Sequence, residues 1–102
     1  MRWPFRVTRP LVEVLQALLS ADGPTHGWHI AEVTHQSGPN VYRALRRLQD
    51  AAWVGCRWVD SPEPGRPRRR LYWLTQAGQL GAVQLLNERA SASLDPRSEG
   101  QP

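Results

Sequence analysis

Ser37-Gly38-Pro39-Asn40-Val41-Tyr42-Arg43-Ala44-Leu45-Arg46-Arg47-Leu48-Gln49-Asp50-Ala51-Ala52-Trp53-Val54 is the stretch around which this chain is built. Ser37 predicts a helix N-cap, since its hydroxyl can accept a bond from a free N–H of the first turn. Pro39 suits that turn, where its missing donor would go unused. Val41, Ala44, Leu45, Leu48 and Ala52 recur at helical spacing and make one apolar face. Asn40, Arg43, Arg46 and Arg47 then fall on the opposite side. Three guanidiniums and an amide suit phosphate oxygens, the guanine edge and the adenine edge. The stretch therefore reads as the recognition helix of a small DNA-binding domain. Its alternative is a merely solvated basic face.

The surroundings bear on that choice. The chain has 102 residues, room for one domain, and 40% of them are apolar. Its net charge is +4, which favours acidic partners: nucleic acid first, an anionic membrane second. All 13 basic residues are arginine. Arginine suits bidentate contacts to phosphate and base edges, although a GC-rich genome gives the same bias. The single cysteine, Cys56, excludes an internal disulfide and fits a reducing cytoplasm. No run approaches the roughly 20 apolar residues that span a bilayer, and none resembles a signal peptide. The expected location is cytoplasmic, with no membrane partner.

Residues 1–7 form a basic and aromatic arm, in which Trp3 and Phe5 are expected to pack on the body or on a second subunit. Thr8 and Pro10 open a first helix with an apolar stripe of Leu11, Val14, Leu15, Leu18 and Leu19, stopped at Asp22-Gly23-Pro24. Thr25 is expected to cap a second helix running to Thr34, with Trp28, Ile30, Ala31 and Val33 buried. Gln36-Ser37-Gly38 is the short link that a helix-turn-helix requires. His26 and His29 lie three apart, but no cysteine or carboxylate cluster completes a metal set, so no metal and no cofactor are expected.

Beyond the third helix the period changes to two. Val54, Cys56 and Trp58 alternate with Gly55, Arg57 and Val59 as in a half-exposed strand, with Cys56 a small buried hydrophobe. A proline-rich loop follows, and residues 68–74 read as the return strand with Tyr72 and Leu74 inward. Arg66, Arg68, Arg69 and Arg70 gather at the hairpin tip and its return arm. They suit a DNA backbone or minor groove; charge that protects a sheet edge is the alternative. Thr75 is expected to cap a fourth helix ending near Ala90. Leu80, Val83, Leu86 and Ala90 at roughly heptad spacing suggest a dimer contact, with Ala82 and Leu85 widening the stripe. Residues 91–102 are polar and read as a disordered tail.

Three motifs resemble the PadR-like transcriptional regulators. Gly23-Pro24-Thr25-His26-Gly27-Trp28-His29-Ile30 is similar to the start of that family's second helix, with Trp28 where tyrosine is common. Asn40-Val41-Tyr42-Arg43-Ala44-Leu45-Arg46-Arg47-Leu48 resembles its recognition helix. Gly65-Arg66-Pro67-Arg68-Arg69-Arg70-Leu71-Tyr72-Trp73-Leu74-Thr75-Gln76-Ala77-Gly78 resembles its wing and exit. The resemblance covers about residues 8–90. It implies a winged helix-turn-helix, mainly α with a small β-hairpin, in the order helix-helix-helix-strand-wing-strand-helix. Residues 8–90 would form the DNA-binding domain. It further implies a homodimer on a palindromic operator in double-stranded DNA, usually repressing, with Tyr42 near the DNA backbone. The expected fourth helix is shorter than the family's usual dimerisation helix.

On this reading Asn40 and Arg43 touch bases, Arg46 and Arg47 read bases or grip phosphate, and Ser37 and Tyr42 hold phosphates. A protein-interaction winged helix binding an acidic partner is the second reading. An enzyme is not expected, because no nucleophile–base pair, phosphate loop or metal set can be assembled. A small-molecule effector stays open, with tryptophans at a dimer seam as one place for it.

Overall fold

In a computed structural model, which describes residues 3–59, Gly65 and residues 69–94, every helix but the second starts at a side-chain cap that the sequence supplies. Helix α1 spans Arg9–Ser20, and the Thr8 hydroxyl accepts from Leu11 N–H at 3.3 Å. Its Leu11, Val14, Leu15 and Leu18 are buried, each contributing about 2 kcal/mol by leaving water. Helix α2 spans Gly27–Thr34 and ends on His35, whose left-handed φ of 55° turns the chain. Helix α3 spans Gly38–Asp50, with Val41, Ala44, Leu45 and Leu48 buried against the other two helices. Gln36 secures the α2–α3 turn: its amide donates to Pro10 O at 3.1 Å and to Glu13 Oε1 at 3.2 Å.

Strand β2 (Val54–Val59) and strand β3 (Arg69–Leu74) form the antiparallel hairpin, with Cys56 opposite Tyr72 and Trp58 opposite Arg70. A two-residue strand β1, Thr25–His26, pairs on the other side of β3, so the sheet order is β1-β3-β2. Helix α4 spans Gln76–Leu94; Thr75 caps it by accepting from Gly78 N–H at 3.0 Å. The architecture is the expected α+β winged helix-turn-helix with one strand added.

Trp53 joins the parts. Its N–H donates to Leu48 O and its carbonyl accepts from Thr75 N–H, both at 2.9 Å. Phe5 and Trp3 stack edge-on against its ring at 4.8 and 5.8 Å, which fastens the N-terminal arm to the body. Helix α4 lies close over Trp53 because Gly78 and Gly81 face it. A Cβ at Gly78 would strike the Trp53 carbonyl, and one at Gly81 would strike its indole.

Several expectations need correction. Thr25 does not cap α2; it pairs with Tyr72 in β1, and His26 takes the cap position with no side-chain bond. Trp28 and Val33 are half exposed, since α2 is short and offers only Gly27 and Ile30 to the interior. Ala52 leaves the apolar face of α3: it lies past the helix end at φ 63° and is exposed. Trp58 stands out of its strand rather than in the core, and Cys56 is only half buried. Helix α4 passes Ala90 and continues to Leu94. The wing residues Arg66 and Arg68, and residues 95–102 of the expected tail, lie outside the described residues.

Candidate nucleic-acid interface

The third helix is presented as a rigid rod. Ser37 Oγ accepts from Asn40 N–H at 3.3 Å and Pro39 occupies the first turn, so the N-terminus is fixed. The four buried apolar residues hold the opposite face, and Asn40, Tyr42, Arg43, Arg46 and Arg47 stand exposed. Arc position divides them. Asn40, Arg43 and Arg47 line a cleft of about 380 Å³ with Thr8 and Pro10 at the start of α1. Tyr42 turns the other way, towards α2 and the sheet. Glycine at residue 27 leaves room for its ring: a Cβ there would stand 2.7 Å from the Tyr42 ring. Tyr42 keeps 46% of its surface exposed, its ring centre 6.3 Å from that of Tyr72.

The wing cations divide in the same way. Arg69, at the start of β3, is exposed. Arg70 is folded back. Its Nη2 donates to Cys56 Sγ at 2.8 Å, and its guanidinium lies 5.2 Å from the Trp58 ring centre and 5.3 Å from that of Tyr72. The bond to Cys56 is the main cause holding the Arg70 guanidinium above its ordinary pKa, so it stays charged at any working pH. Burial pushes the Tyr72 phenol up, and the nearby Arg70 charge opposes that shift. Gln49 Nε2 donates to the same sulfur at 3.0 Å. One thiol thus links α3, β2 and β3.

Sequence reading found the exposed row on α3 and Arg69. It missed the link through Gln49, Cys56 and Arg70, for which no sequence signal exists: the hairpin register alone brings Arg70 to Cys56. Gly27 lies within the motif at the start of α2, yet nothing in the sequence signals its packing against Tyr42. On α4, Leu80 and Val83 are 66% and 47% exposed and Ala90 is exposed; Leu86 is half buried against the core. Among the described residues no group of His, Cys, Asp or Glu is placed to hold a metal, and no helix is long and apolar enough to cross a membrane.

A helix-turn-helix with a basic outward row and an adjoining hairpin is a DNA-reading arrangement, and the sequence agrees with it. The profile of the transcriptional regulator PadR-like family matches residues 14–82. The chain belongs to this family. PadR-like proteins are DNA-binding transcriptional regulators, not enzymes. Among curated proteins none matches the chain by sequence. Among solved structures, a PadR family transcription regulator from Clostridium difficile R20291 superposes with a TM-score of 0.70 at 18% identity, covering 88% of this chain and 98% of that one. The smu.1704 protein of Streptococcus mutans UA159 gives 0.67 at 25% identity, covering 100% and 97%. NMB1585, a MarR family regulator from Neisseria meningitidis, gives 0.63 at 23% identity. It is a longer protein: the match covers 85% of this chain but 58% of that one. The PadR-like match and the MarR likeness agree on the winged helix.

Proposed function

We propose that this PadR-like protein is a cytoplasmic repressor that binds a palindromic operator as a homodimer. The observation that carries the reading is the outward row of α3, exposed on a helix whose other face is pinned. Helix α3 enters the major groove. Asn40 and Arg43 touch base edges, Arg46 and Arg47 touch bases or phosphates, and Ser37 and Tyr42 hold phosphates. Arg66, Arg68 and Arg69 act at the wing. Arg70 remains in this set, although its guanidinium already has partners within the protein. The dimer forms through α4, where Leu80, Val83 and Ala90 share an outward face with Asn87 at a, d, a and d spacing. Leu86, on the inward side, widens the contact only at its edge. Such a dimer sets two recognition helices one DNA turn apart, about 34–36 Å.

Fluorescence anisotropy of the duplex upstream of its own gene, against a shuffled duplex at two salt concentrations, tests this. The expected result is a preference for the native duplex that survives the higher salt. Equal binding that vanishes with salt would leave only counterion release from a basic surface. No binding to either duplex would move the assignment to an acidic protein partner.

A further inference from the structure

Trp58 leaves 57% of its surface in water, the largest exposed apolar side chain among the described residues of the hairpin. It is nonetheless held in place. The Arg70 guanidinium lies 5.2 Å from its ring centre and 5.3 Å from that of Tyr72, so a buried ring backs the cation and the cation backs the indole. Arg70 Nη2 donates to Cys56 Sγ at 2.8 Å, and Arg70 Nε is buried as well. Gln49 of α3 donates to the same sulfur at 3.0 Å. A chain of side chains, Gln49 to Cys56 to Arg70 to Trp58, thereby sets the indole relative to the recognition helix. Trp58 also lines one cleft with Tyr42 of α3 and with Arg69, its diagonal neighbour on β3.

We propose that Trp58 packs its indole on a deoxyribose of the bound duplex, and that Arg70 is the positioning residue that holds the indole there and grips no phosphate itself. This rests on the DNA-binding reading above and refines it. A nucleic-acid strand alternates charged phosphates with sugars whose ring faces are apolar. A strand gripped by both Tyr42 and Arg69 crosses the cleft and lays its sugars along the exposed indole, which gains by leaving water. Arg69 is free to meet phosphate; Arg70 has one nitrogen on sulfur, another buried, and a ring beside it on either hand. Two signatures follow. A sugar contact reads no base edge, so it serves operator and shuffled duplex alike. It releases no counterion, so its share of the affinity persists as salt rises, unlike that of Arg69.

The test measures duplex affinity of the full chain by anisotropy across a salt series, with thermal midpoints confirming that each variant is folded. Trp58→Ala is expected to weaken binding to both duplexes about tenfold, as loss of an apolar contact face does, with the salt slope unchanged. Trp58→Phe is expected to recover most of that loss. Arg70→Gln is expected to weaken binding similarly, again without changing the slope, and to add nothing when combined with Trp58→Ala. Arg70→Lys keeps the charge but not the flat face, and is expected to behave like Arg70→Gln. In NMR of the complex, the Trp58 ring, assigned through Trp58→Phe, is expected to show Overhauser contacts to deoxyribose protons. Undiminished binding by Trp58→Ala, or a Trp58 ring silent towards deoxyribose in the complex, would overturn the sugar contact. A slope lowered by about one in Arg70→Gln, wild-type affinity in Arg70→Lys, or additive losses in the double variant would make Arg70 a phosphate ligand and overturn its positioning role. A wild-type chain that binds neither duplex refutes the DNA-binding reading and the contact with it; a wild-type chain that binds beside an equally tight Trp58→Ala refutes the contact alone.

Discussion

Arg43 and Arg69 carry the same charge on different supports. Arg43 projects from a helix capped at one end and packed along one face; Arg69 projects from the start of a hairpin strand. A base-reading arginine discriminates between sequences, whereas a phosphate-binding one contributes equally to all of them. Arg43→Ala is therefore expected to cost about 1–3 kcal/mol on the operator and far less on random DNA. Arg69→Ala is expected to weaken both alike and to reduce the salt slope by about one. Equal losses on both duplexes for Arg43→Ala would remove it from base readout. At this scale the sequence was informative on α3, because the helical period alone decides which residues face out. It was silent on Arg70. Four wing arginines look equivalent in a string, yet pairing Cys56 with Tyr72 and Trp58 with Arg70 brings one guanidinium back over two rings and a sulfur.

Among the elements, α3 was the most legible, since cap, proline and apolar period agree there. The two-residue β1 escaped notice because so short a strand has no alternation to detect, and Thr25 serves as a cap or a strand residue with equal ease. Helix α4 was legible as a helix but not in its orientation. It is apolar on several sides, so spacing alone does not choose the inward face; the glycines Gly78 and Gly81 choose it by allowing close approach to Trp53. The α3 cap gives an element-scale prediction. Ser37→Ala is expected to cost about 1 kcal/mol, lowering the thermal midpoint by roughly 4–8 °C for a domain of this size. Ser37→Asp is expected to restore the midpoint, because a carboxylate caps well and complements the helix dipole, yet to weaken duplex binding by repelling phosphate. A variant that regains both would show that Ser37 stands clear of the DNA.

For the whole molecule the question is what covers α4. Leu80 and Val83 project from a domain whose other leucines on α1 and α3 are nearly all buried. Joint substitution Leu80→Glu and Val83→Glu is expected to give a monomer by light scattering, with native helix content by circular dichroism. Operator affinity is expected to drop to that of a single half-site. An unchanged dimer would place the contact elsewhere.

Gly78 and Gly81 carry a consequence for how such a regulator diversifies. Helix α4 has 19 residues, roughly 28 Å at 1.5 Å per residue, and it rests on Trp53 near its first two turns. It is a lever held through its first turns, on Trp53 at the glycines and in the core at Ala82 and Leu85. A methyl group added at either glycine would tilt the lever, and the displacement would grow with distance along it. In the proposed dimer that tilt resets the separation of the two DNA-reading helices while every base-contacting side chain stays as it is. The pitch of the preferred operator and the letters within it are then inherited separately, one in two missing methyl groups, the other in a row of arginines.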